Sequence, residues 1–246
     1  MKSVNSAQAY DYIRKRILSG EYPSGYSLAE NALSGVIGIS RTPVHDALRQ
    51  LEADGLVTIQ SRLGASVKRM DLNEFKDMCG LRIALESHAA GLAALNRTEQ
   101  DLAEIANAVE AMRKLTALIL VAKEERDLVD QIRQEDIRFH VGVMAAAKNI
   151  LMKKEILRLH LINRVVSSPI GGSMSAASKK ADVDARRKTA QVSHETIWRA
   201  IKTRNVAGAK EEMERHINHH LERMALSDAG LRAKALAADE LSYNSH

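Results

Sequence analysis

"ISRTPVHDALRQLEADGLV", residues 39–57, is the stretch that decides the class of this protein. Val44, Leu48 and Leu51 recur at helical spacing and mark a buried stripe, which leaves Arg41, His45 and Arg49 four residues apart on an exposed face. Ser40 or Thr42 supplies an N-cap, Pro43 is tolerated in the first turn, and Gly55 ends the helix. Upstream, Ser27 and Glu30 read as an S-x-x-E capping box that starts a shorter helix carrying Leu28, Leu33 and Val36, and Gly38 permits a tight turn. Two helices joined in this way make a helix-turn-helix. Downstream, "LVTIQ" and "ASVKRM" alternate like strands around "SRLG", a wing whose tip offers Arg62 and Gly64. Such a wing can contact phosphates along a minor groove while the second helix enters the major groove.

Bulk properties agree with this reading. A chain of 246 residues, 45% hydrophobic and 27% charged, is long enough for two domains with separate cores. Its one cysteine, Cys79, cannot form an internal disulfide, and "MKSVNSAQAY" lacks the apolar core of a secretion signal, so a reducing cytoplasm is expected. The longest apolar run, "LTALILVA" at 115–122, is far short of the ~20 residues a bilayer requires, and no membrane partner is expected. The net charge is +5; residues 1–70 carry nine basic and six acidic side chains, which concentrates the excess in the wing-bearing segment.

From Asp71 the texture changes. Apolar residues recur every three or four positions through 73–95, 98–122, 125–147, 149–167, 181–204 and 206–226, which predicts a bundle of six helices. The expected fold is therefore mostly α: a winged helix-turn-helix over 1–70, an all-α ligand-binding and dimerisation domain over 71–227, and a tail over 228–246. The breaks fall at Asn96-Arg97-Thr98, at Lys148-Asn149 and at "SSPIGGSMSAASKKAD", 167–182, which reads as a mobile loop. "KRMDLN" at the junction is too short and charged for a long flexible tether.

Four side chains in the helical region point to metal chemistry. Asp136 and His140, in "EDIRFHVGV", lie four apart and project from one helical face with Ile132 and Val143. His194 shares a stripe with Ile197 and Ile201, and His216 sits beside the stripe of Met213, Ile217 and Leu221. Three imidazoles and a carboxylate turned inward suit a divalent ion, zinc first, with nickel or manganese as alternatives. His220 competes with His216 for the last place. Arg82, on the stripe of Phe75, Met78, Leu85 and Ala89, needs an anionic partner because an unpaired charge in a core is costly. That partner is either Glu86, one turn later, or the carboxylate of a small effector whose other oxygens reach the metal.

These motifs carry a resemblance. "ILSGEYPSGYSLAENALSGVIGISRTPVHDALRQLEADGLV" followed by "RLGASV" resembles the winged helix-turn-helix of the GntR family of bacterial transcription regulators over nearly all of residues 7–70. The resemblance implies DNA contacts at Arg41, Thr42, His45, Arg49, Arg62 and Gly64. His45 departs from the pattern, since the family commonly carries arginine there, and the expected operator cannot simply be carried over. Residues 72–227 resemble the FCD effector domain of the FadR subfamily, and the six-helix count is similar to its VanR-like branch. In metal-binding members a D-x-x-F-H motif is joined by two later histidines, which Asp136, Phe139, His140, His194 and His216 match. The resemblance implies a homodimer on a palindromic double-stranded DNA operator, controlled by a small organic acid. Two other classes remain: a regulator that senses the metal itself, and a metal-dependent hydrolase with a DNA-binding appendage. No separate general base pairs with the site in the sequence, which weighs against the hydrolase.

Overall fold

The computed structural model describes residues 4–166 and 180–243. Contacts divide the chain into two units, one formed by residues 1–70 with 157–183, the other by 71–156 with 184–246. The expected mobile loop at 167–182 lies mostly outside the described residues.

The first unit begins with α1 (Val4–Ser19), α2 (Glu30–Ile37) and α3 (Arg41–Ala53), followed by β1 (Val57–Gln60) and β2 (Gly64–Val67). Ala9, Ile13 and Ile17 of α1 meet Val44, Ala47, Leu48 and Leu51 of α3 in a fully enclosed core. The strands pair antiparallel with Val57 opposite Val67 and Gln60 opposite Gly64. Gly38, at φ 77°, ends α2 in the left-handed region, where only glycine turns the chain without Cβ strain, and α3 starts three residues later.

Two local expectations are corrected. Ser27 and Glu30 form no capping box: α2 starts at Glu30, its N-cap is Ala29, and no side chain caps it. Ser27 is instead drawn into a bridge with Ser66 beside the wing, where Leu28 N donates to Ala65 O at 2.8 Å, so sheet pairing outcompetes the cap. Val36 is not buried; it is 68% exposed on the outer side of a helix only eight residues long, whose inward contact comes from Leu33.

The second unit holds α4 (Leu72–Asn96), α5 (Glu99–Val121), α6 (Arg126–Ala146), the start of α7 (Ile150–Val166), α8 (Lys180–Lys202) from Asp184 on, and α9 (Val206–Tyr243). The six helices fall where the periodicity places them, and α9 runs on through the stretch that periodicity leaves unassigned. Helix α4 packs on α9 and α6, and α5 packs on α6. Ala89, Ala90, Ala93 and Ala94 give α4 a narrow face, and a Cβ at Gly91 would meet Lys210 Cε at 2.6 Å. No helix among the described residues is long and apolar enough to cross a membrane.

Helix α5 starts with a full capping box, in which Thr98 N donates to Asp101 Oδ2 at 2.8 Å and Asp101 N donates to Thr98 Oγ1 at 3.1 Å. Lys148 Nζ lies 2.5 Å from the same carboxylate. Burial works against the Asp101 charge, but Lys148 and Thr98 outweigh it and hold the pKa at about 2, below the ordinary 3.8. A lowered pKa stabilises the fold above the unfolded value and ceases to do so as pH falls through the folded one. Asp101→Ala should lower stability by about 1–2 kcal/mol at neutral pH, and the difference from wild type should vanish in denaturant melts as pH falls from about 4 to about 2.

Candidate nucleic-acid interface and metal centre

The first candidate site is the outer face of α3 with the wing. Arg41, Thr42, His45 and Arg49 are all exposed, while Pro43, Val44, Ala47, Leu48 and Leu51 are buried behind them. The reading face is therefore backed by a packed stripe and cannot rotate inward. Glu30 of α2 reaches across to this face: its Oε1 lies 2.8 Å from His45 Nδ1 and its Oε2 lies 3.6 Å from Arg41 Nη2. Arg49 pairs with Glu52 at 3.3 Å. Sequence reasoning missed this use of Glu30 because the S-x-x-E spacing offered a local partner.

At the wing tip Arg62 and Gly64 are exposed, with φ of 71° and 84°. Gly64 occupies the left-handed region without strain, whereas Arg62 holds it against the clash of its own Cβ, of order 1–2 kcal/mol. A side chain kept at that cost is a functional signal. Arg62→Gly should preserve or raise thermal stability while weakening DNA binding and flattening its salt dependence by about one phosphate contact, read by titrations at several salt concentrations.

The second candidate site lies in the helical unit. Asp136 and His140 of α6, His194 of α8 and His216 of α9 each turn a donor atom to one point, with all four atoms within 4.8 Å of one another. That spacing is close to what one ion with ligand bonds of about 2 Å spans. His140 and His194 are buried, with Phe139 edge-on to both at 5.3 and 4.7 Å between ring centres. Asp136 Oδ1 lies 3.0 Å from His194 Nε2 and 4.0 Å from His140 Nε2. His220, the alternative ligand, lies outside the four and stands edge-on to Phe75 at 5.5 Å.

The proton positions fit a metal. Ser193 Oγ lies 2.7 Å from the Ala190 carbonyl, which can only accept, so the hydroxyl donates there and accepts from His216 Nδ1 at 2.8 Å. His216 Nε2 is then a bare lone pair. Burial first, then the neighbouring rings of His194 and His140, hold His216 well below the ordinary imidazole range, so it stays neutral. Nδ1 of His140 lies 2.5 Å from Glu86 Oε2 and its Nε2 lies 4.0 Å from Asp136 Oδ1, so the ring stands between the two carboxylates with Nε2 on the side of the cluster. His194 Nδ1 is buried with no hydrogen-bond partner among the described residues. An ion would use the lone pairs these contacts present.

Of the two partners open to Arg82, the structure supplies Glu86: Arg82 Nε donates to Glu86 Oε1 at 2.6 Å, with 3% and 0% of the two side chains exposed. Burial opposes the Arg82 charge, but the charge and hydrogen bond of Glu86 more than offset it, and the pKa is raised. Glu86 thus joins Arg82 to His140. Sequence reasoning placed Glu86 beside Arg82 but could not show that its second oxygen meets a histidine on another helix.

Beside the cluster lies a cavity of about 290 Å³, lined by Arg186, Thr189, Ser193, His216, His219 and His220 among others. Arg186 is a residue the sequence did not single out, since it falls on a polar face of α8.

Residues 5–67 match the profile of the gntR family of bacterial regulatory proteins, and residues 77–219 match the FCD domain, more than half of the chain. The chain belongs to the GntR family. It carries an FCD effector domain behind its DNA-binding head, and it is a transcription regulator rather than an enzyme. It is 34% identical over 149 residues to an HTH-type transcriptional regulator from the TAR-I ttuE-ttuC' intergenic region of Agrobacterium vitis, covering 59% of this chain and 84% of that protein. It is 26% identical to the gluconate operon transcriptional repressor of Bacillus licheniformis, over 78% of this chain and 74% of that one. Among solved structures it is similar in fold to E. coli McbR/YncC, with a TM-score of 0.67 and 18% identity over 93% of this chain and 99% of the other.

If the cluster holds an ion, removing the carboxylate set against His140 should loosen that ion without touching it directly. Glu86→Gln is expected to weaken zinc or nickel affinity by about 10–100-fold in a chelator competition, the usual range for an outer partner of a ligating histidine.

Proposed function

We propose that this regulator belongs to the FadR subfamily, in its VanR-like branch, and binds a palindromic operator as a cytoplasmic homodimer whose DNA affinity is set by a small organic acid held beside a divalent metal. Residues 1–70 form the reading head, 71–227 the effector and dimerisation domain, and 228–246 an appended tail. The observation that carries this reading is the convergence of Asp136, His140, His194 and His216 on one point, with the outer nitrogen of His216 engaged by Ser193 and that of His140 set against Glu86. Six helices from α4 to α9 support the branch assignment. Zinc suits the three-histidine, one-carboxylate set best; nickel and manganese are the alternatives. When bound, the ion would act as a Lewis acid for the oxygens of an acid in the adjoining cavity.

The cavity beside His216 is of a size for a small metabolite, and Arg186, Thr189 and the outer histidines supply polar groups around it. The gluconate operon repressor among the relatives is consistent with a sugar acid or similar compound. Arg82 reaches the chamber through Glu86, whereas Arg186 lines the cavity itself.

A thermal-shift screen of metal-loaded full-length protein against carboxylic and sugar acids, repeated after chelation, tests the reading. An acid at 100 times its Kd should add about 2.7 kcal/mol, visible as a shift of a few degrees that disappears with the metal. Stabilisation by metal alone, with no acid response, would favour metal sensing instead. Arg186→Ala should lower acid affinity with stability within about 0.5 kcal/mol of wild type. Arg82→Ala should cost about 3–5 kcal/mol because it strands the buried Glu86 charge. Unchanged stability with lost acid response would instead make Arg82 a direct effector contact.

A further inference from the structure

The exposed face of α3 carries a histidine whose proton is positioned by a neighbouring element. Nδ1 of His45 lies 2.8 Å from Oε1 of Glu30, the first residue of α2. A carboxylate accepts hydrogen bonds, so the hydrogen between them sits on Nδ1. In the neutral ring Nε2 is then a bare lone pair. The His45 side chain is 46% exposed and that of Glu30 29%, so the ring is pinned through its Nδ1 edge and remains open to an incoming partner. The other oxygen of Glu30 faces the guanidinium of Arg41 at 3.6 Å, which ties two outward-facing side chains of α3 to one anchor.

We propose that His45 reads its base through an acceptor nitrogen, and that Glu30 is the positioning residue that makes it an acceptor. This rests on the reading of α3 as the helix that enters the major groove. The hydrogen-bond donors displayed in that groove are the exocyclic amines, N6 of adenine and N4 of cytosine. Guanine shows only the acceptors N7 and O6, and thymine shows O4 and a methyl group. The base facing His45 is therefore adenine or cytosine, and guanine is rejected because two acceptors would meet. An arginine at the same place, with donors only, takes guanine. The identity of one base in each half-site thus depends on a glutamate that need not touch the DNA.

The test selects binding sites from a random duplex library with full-length wild type, Glu30→Ala and His45→Arg, and follows the His45 ring nitrogens by 15N NMR in the free protein. Wild type is expected to enrich adenine or cytosine at one position per half-site. Replacing that base by an analogue without the amino group should weaken binding about threefold to tenfold, the worth of one hydrogen bond. His45→Arg should switch the same position to guanine. Glu30→Ala should keep the rest of the site while losing the preference there, and the NMR spectrum should show the proton on Nδ1. Guanine at that position for wild type, identical sites for wild type and Glu30→Ala, or a neutral ring protonated at Nε2 would each overturn the proposal. Sites that do not change at any position in His45→Arg would show that position 45 reaches no base and would overturn the proposal; sites also unchanged in Arg41→Ala and Arg49→Ala would show that α3 is not the reading helix, a different failure that removes the premise as well.

Discussion

A carboxylate with no exposed surface sits inside the helical unit, and the arrangement of the candidate metal ligands depends on how its charge is balanced. Glu86 is 0% exposed, yet each oxygen has a partner of opposite character: Arg82 Nε at 2.6 Å on one and His140 Nδ1 at 2.5 Å on the other. Neither contact is optional, because a lone charge in such surroundings costs several kcal/mol. The pair with Arg82 fixes the carboxylate, and the carboxylate in turn sets the position of the His140 ring. The position of a candidate ligand on α6 is thus set from an ion pair on α4.

The remaining ligands reach the same state by other means. Ser193 commits its only proton to the Ala190 carbonyl and so fixes the proton of His216 on Nδ1. Burial and neighbouring rings keep His216 neutral. His194 has a buried Nδ1 without a partner among the described residues and an Nε2 beside Asp136, so the cluster in its bare form carries polar atoms that are not fully satisfied. An ion that accepts these lone pairs removes that cost, and its binding is coupled to the stability of the unit. Asp136, with 34% of its side chain exposed, and His216, half-buried on the cavity wall, are the two of the four with access to solvent.

Much of this was legible in the sequence, for a physical reason. Helical period and residue spacing report which side chains share a face, so the buried stripe of α3, the six helices from Asp71 and the common facing of Asp136 and His140 followed from counting. Spacing does not report which of several compatible partners a polar group takes. Ser27 and Glu30 fitted a capping box, yet Ser27 pairs with Ser66 across the wing and Glu30 turns to His45. Val36 sits at a spacing that allows burial, but α2 is too short to be enclosed on two sides, and nothing covers it among the described residues. Glu86 was visible as a partner for Arg82 at four-residue spacing, whereas its meeting with His140 joins α4 to α6 and has no local signal. Arg186 on its polar face looked like any solvated cation.

A glutamate lies against Nδ1 of a histidine at Glu86 and again at Glu30, and burial decides what each contact accomplishes. At Glu86 and His140 both side chains are enclosed and the low dielectric makes the ion-pair contact strong, so it suits a site that must keep its shape. At Glu30 and His45 both side chains retain exposure, and water screens the pair. There the carboxylate contributes little to stability but still decides which ring nitrogen holds the hydrogen. A reading helix has to meet its partner in water and release it again, so a weak contact that sets donor and acceptor identity suits it better than a rigid one. The first pairing positions a candidate metal ligand; the second, as proposed above, would select between bases.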